Sequence, residues 1–119
     1  MQEAAIEPLR AKTETPMTTL YLPLKKEWYE MIERGEKREE YREFSKYWKK
    51  RLIGTCKTHP KSPVSYDYLK SFDAVCFSYG YTKRRMLWEC KGITIGRGHP
   101  EWGAPDYEVF IIKLGKRIK

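Results

Sequence analysis

The sequence predicts an α+β fold, a small mixed β-barrel of about five to six strands with two or more short helices packed outside it or across its ends. Three observations carry that prediction. Several short β-branched and aromatic runs are separated by turn residues, two short amphipathic stretches lie in the first half, and 119 residues suffice for one domain. The aromatic content is high, with four Trp and nine Tyr, so large rings must fill much of the core. Lys and Arg number 24 against 16 Asp and Glu, a net +8 that favours an anionic partner such as nucleic acid.

Residues 1–17 hold Pro8, Pro16 and no sustained periodicity, and read as a flexible arm before a domain spanning 18–119. They lack the basic and apolar regions of a secretory signal, and no run of about 18 apolar residues exists to span a bilayer. Cys56, Cys76 and Cys90 form an odd set without a C-x-x-C pair, which suits a reducing, cytoplasmic setting.

Thr18–Leu22 predicts a first strand ending at Pro23, which then suits a helix start. Leu24, Trp28, Met31 and Ile32 recur at helical spacing, and Gly35 is the natural residue to end that helix. The next eight residues of the chain from Gly35 to Arg42, read as G-x-K-x-x-E-x-R, are dense in charge. If 37–42 is extended, Arg38, Glu40 and Arg42 share one face and Lys37, Glu39 and Tyr41 the other. Lys37 then meets Glu40 only if the turn after Gly35 re-aims it.

A second helix is expected over Ser45–Leu52, N-capped by Ser45, with Phe44, Tyr47, Trp48 and Leu52 on one side. Lys49, Lys50 and Arg51 complement the dipole of its last turn, and Gly54 follows its end. Residues 55–66 read as a loop, whereas Phe72–Tyr79 reads as a strand buried on both faces with Cys76 in the core. Met86–Lys91 alternates, and only a β-bulge at Gly92 would keep Ile93 and Ile95 on the inner face. Gly96–Pro105 is a loop, and Tyr107–Leu114 a central last strand.

Lys37, Glu40 and Arg42 supply two cations and an acceptor, which suits clamping a nucleotide; they would equally form an ion-pair network that orders the turn. Tyr79, Tyr81, Lys83, Arg84 and Arg85 interleave rings with cations at a turn, a composition that stacks bases and tracks phosphates, or that keeps a hairpin tip soluble. Trp102 would cover a ligand cleft or fold over the core. Cys56-x-x-His59 with Cys90 and His99 lacks the tight pairing of zinc ligands, so neither a metal nor another cofactor is expected.

This order of features resembles the ASCH family, whose fold is the PUA-like β-barrel. The resemblance runs from about Thr19 to Lys116 through the first helix, Gly35-x-Lys37-x-x-Glu40-x-Arg42, Phe72–Tyr79 with Gly80-Tyr81, Glu89–Ile95, Trp102-Gly103 and Val109–Gly115. It implies a PUA-like fold and a cleft beside the motif that holds RNA or a modified nucleotide. Some small relatives look like amidohydrolases of acetylated cytidine, others like ribonucleases or RNA-binding modules. In the first, the motif's lysine matches Lys37, and Glu40 stands where they have threonine. The expectation is therefore a nucleic-acid-binding module using Lys37, Glu40, Arg42, Tyr79, Tyr81, Lys83, Arg84, Arg85 and Trp102. The alternatives are a hydrolase with Lys37 and Glu40 in catalysis, and a protein-interaction module.

Overall fold

The computed structural model describes residues 17–119, so the proposed arm lies, but for Met17, outside the described residues. Strand β1 (Thr19–Leu24) leads into helix α1 (Lys26–Glu33) and strand β2 (Glu39–Arg42); helix α2 (Lys46–Leu52) runs directly into β3 (Ile53–Lys57), followed by β4 (Ser65–Leu69), β5 (Ala74–Tyr79), β6 (Arg85–Gly96) and β7 (Val109–Arg117). Five strands form one curled sheet, a half-barrel of order β1-β5-β6-β7-β2, and β3 with β4 forms a separate ribbon. β1 and β5 pair in parallel and the other pairs are antiparallel. No helix among the described residues is long and apolar enough to cross a membrane.

The main core lies between the sheet and the two helices. Leu20, Leu22 and Leu24 of β1, Val75 and Phe77 of β5, and Phe110, Ile112 and Leu114 of β7 meet Tyr29 and Ile32 of α1 and Leu52 of α2. Alternation along β7 turns Val109 and Ile111 the other way, where with Tyr41 they form a second cluster under Trp102 and Ala104. That double burial matches the expected central last strand, since β7 sits between β6 and β2.

Several boundaries differ from expectation, each for a physical reason. Pro23 does not start the helix; β1 runs through it to Leu24. β1 is an edge strand, and the Pro23 carbonyl faces Arg42 rather than β5, so the missing N–H is not needed in the ladder. The buried stripe of α1 centres on Tyr29 and Ile32, because the Tyr79 ring packs edge-on against Tyr29 at 5.2 Å. On α2, Ser45 caps as expected, accepting from the Trp48 N–H at 3.3 Å. Phe44 and Tyr47 nevertheless stay exposed, while Trp48 and Leu52 pack inward.

Gly54 is a strand residue, not a helix terminator, and β3 and β4 extend into residues 55–66, where a loop was expected. Cys76 is only half-buried, since β5 buries Val75 and Phe77 on its core face and leaves Cys76 on the face toward a groove with Tyr21. The ladder between β6 and β7 shifts register on either side of Cys90, and Gly92 adopts φ 140°. The shift at Gly92 buries Ile93 opposite Ile112, as a bulge requires, although Ile95 remains partly exposed.

Candidate nucleic-acid interface

The motif's geometry begins at the end of α1. Gly35 takes φ 83°, its N–H donates to the Ile32 carbonyl at 2.9 Å, and the Glu36 N–H reaches back to the Met31 carbonyl at 2.9 Å. These two bonds form a Schellman ending, which satisfies the last helical carbonyls and reverses the chain. The Lys37 N–H joins them, donating to Met31 at 3.1 Å, so the side chain of Lys37 leaves the turn already aimed inward.

The Lys37 amine lies 3.2 Å from Glu40 Oε1 and donates to the Trp102 carbonyl. The rings of Trp28 and Tyr41 flank it, with centroids at 5.2 and 4.6 Å. The other Glu40 oxygen takes Arg42 at 3.0 Å. Arg42 also donates to the Pro23 carbonyl at 2.9 Å and lies over the Trp48 ring at 5.2 Å. The predicted triad is thus assembled, but Lys37 is only 2% exposed and Glu40 only 7%. Burial holds the Lys37 amine below its ordinary range, an effect partly offset by the Glu40 carboxylate.

Around this network the loop after β6 is pinned at two points. Lys37 holds the Trp102 carbonyl, and the Tyr41 hydroxyl accepts the His99 N–H at 3.0 Å while donating to Glu39 Oε1 at 2.8 Å. Burial, with Glu39 beside it, pushes the Tyr41 phenol far above its usual range, so it remains a donor to that carboxylate. The His99 and Trp102 rings pack at 4.4 Å, tilted by 47°. They form part of the wall of a cavity of about 460 Å³, completed by Arg38, Glu39, Lys91, Lys113 and Leu114. Sheet register places Glu39 opposite Lys113, and Lys113 opposite Gly92 at the bulge, which gathers charges from three strands.

The hairpin tip after β5 is partly consumed by its own contacts. The Arg84 guanidinium stacks on Tyr79 and Tyr29, at 4.8 and 5.1 Å, and pairs with Glu33 at 3.0 Å. Arg85 donates to the Thr82 carbonyl at 2.9 Å, and Lys83 is exposed. Tyr81 is 97% exposed and shares a hollow of about 300 Å³ with Arg42, Pro23 and Gly80. Arg42 also lines a hollow of about 230 Å³ with Trp48, Gly103 and Pro105. The structure therefore joins Lys37, Glu40, Arg42 and Trp102, brings Tyr81 to Arg42, and leaves Tyr79 and Arg84 bound to α1.

Sequence reasoning missed Arg38, Glu39, Lys91, His99 and Lys113 as cavity residues. One signal was available: Lys113 is the single charge in the apolar run from Val109 to Leu114, and a lone cation there marks an opening in the cover. His99 and Lys91 carried no comparable signal, because only the loop fold and the β6–β7 register bring them together. Among the described residues no three His, Cys, Asp or Glu side chains gather as metal ligands. No family model, curated protein or solved structure matches this chain.

Proposed function

We propose that the protein is a nucleic-acid-binding module, ASCH-like and PUA-like in kind, that takes RNA or a modified nucleotide in the cavity beside the motif strand. The observation that carries this reading is the cavity wall, in which the Trp102 and His99 side chains line one opening together with Arg38, Lys91 and Lys113. Rings stack bases and the cations neutralise phosphate, while Glu39 can accept from a base amino group. Lys37, Glu40 and Arg42 then act from behind, holding the Trp102 segment against β2. The burial of the Lys37–Glu40 pair favours binding over the hydrolase alternative, because a catalytic pair must touch its substrate.

The test is titration of the full chain with cytidine monophosphate, acetylated cytidine and a short single-stranded RNA over a range of salt. Lys91→Ala and Lys113→Ala should each weaken RNA binding and lower the slope of log affinity against log salt by about 0.7. Unchanged affinity and slope in both folded variants would sink the cavity reading. Release of acetate from acetylated cytidine would instead establish the hydrolase.

A further inference from the structure

The β3–β4 ribbon is unusual in being open on both faces. Thr55, Cys56 and Lys57 of β3 and Ser65 to Tyr68 of β4 are all exposed; only Ile53 and Leu69, at its base, pack against the core. Two-stranded ribbons are marginal in water by themselves. This one is held by its base, by the Lys70 N–H donating to the Leu52 carbonyl at 2.9 Å, and by Thr58 to Val64 across the turn at 3.1 Å.

The ribbon's rings share one face, and the segment around it is basic. Register places Tyr66 opposite Cys56 and Tyr68 opposite Gly54, so both tyrosines stand on the same face, 52% and 46% exposed, with ring centroids 6.5 Å apart. A Cβ at Gly54 would lie 2.4 Å from the Tyr68 ring, so the glycine lets that ring lie across the ribbon backbone. Charge is biased along the segment rather than to one face. From Ser45 to Lys70, across α2 and the ribbon, seven Lys and Arg face a single acid, Asp67, which gives this segment six of the chain's eight net positive charges. The Asp67 carboxylate already accepts from the Thr55 hydroxyl at 2.9 Å.

We infer that the β3–β4 ribbon is a second binding surface, a stacking platform for single-stranded nucleic acid, with Tyr66 and Tyr68 taking bases and Lys61 and Lys70, which flank β4 at its two ends, tracking the backbone. Exposed rings on a sheet face are matched by unstacked bases, which a duplex does not offer, and the cations are matched by phosphates. An acidic protein would satisfy the lysines but leave the rings idle. The surface shares no residue with the Trp102 cavity, and the inference stands whether or not that cavity binds a nucleotide.

The experiment uses the full chain and a fluorescein-labelled single-stranded oligonucleotide of mixed sequence, long enough to cover the ribbon. Its competitors are the same sequence as a duplex, and polyglutamate. The Tyr66→Ala/Tyr68→Ala double variant should weaken single-strand binding by about tenfold or more. The corresponding Phe variant should retain affinity, and Lys61→Gln/Lys70→Gln should flatten the salt dependence. The Tyr66→Ala/Tyr68→Ala change should cost the same factor in a Lys91→Ala/Lys113→Ala background as in wild type, which separates the two sites. An unchanged affinity in the alanine double variant, or competition by duplex or polyglutamate equal to that of the single strand, would overturn the inference. Should the alanine variant fail to fold, the Lys61 and Lys70 pair decides the matter: no loss of affinity there also overturns it.

Discussion

At the scale of single residues, Glu40 carries the most. It bridges two cations, each oxygen to one partner, in a place almost closed to water. Removing it would leave the Lys37 and Arg42 charges uncompensated, and breaking a buried pair in that way costs about 3–5 kcal/mol. Glu40→Ala should therefore lower the unfolding free energy by roughly that amount in urea titration, whereas Glu36→Ala, at an exposed pair with Arg34, should leave it nearly unchanged. Lys37 adds a pH dependence of defined sign. Its folded pKa lies below the ordinary 10.5, so the unfolded chain holds the proton more tightly and stability due to Lys37 rises with pH through that window. Comparing wild type with Lys37→Met, the difference in unfolding free energy should move in favour of wild type from neutral pH toward about pH 10.5. The residue types of this network were legible in the sequence, but alternation put Lys37 and Glu40 on opposite faces. The partner that locks Lys37, the Trp102 carbonyl, lies 65 positions away and leaves no local trace.

At the scale of elements, local rules worked where local bonds decide the structure. Gly35 ends α1, Ser45 caps α2, and the phase change at Gly92 marks a real register shift. Gly35 supports a clean prediction, because an added Cβ would meet nothing within 4 Å. Gly35→Ala should thus cost only the left-handed backbone penalty, about 1–2 kcal/mol, with Gly35→Asn costing less, both measurable by thermal or urea unfolding. Local rules failed where pairing across the chain decides. Pro23 reads as a breaker but lies in β1, where its N–H side faces away from β5. The ribbon reads as a loop, since Pro60 and Pro63 lie within its turn and neither of its strands alternates against a buried face.

For the whole molecule, the class was legible: an α+β chain with a strongly curled sheet, two helices and an excess of cations. Its topology was not. The parallel β1–β5 pair joins Thr19 to Ala74, and nothing in either segment names the other. The count of strands exceeded expectation because the ribbon adds two that do not belong to the sheet. The curl places β1 and β2, consecutive strands in the chain, at the two open margins of the sheet, and the Arg42 side chain spans from one to the other. Open margins are where a foreign strand can add and start an aggregate. Here Pro23 removes a donor from the β1 margin, Arg42 occupies the carbonyl beside it, and β2 is only four residues long. The same arginine that completes the motif's ion network therefore also covers a carbonyl at an edge where a foreign strand would add.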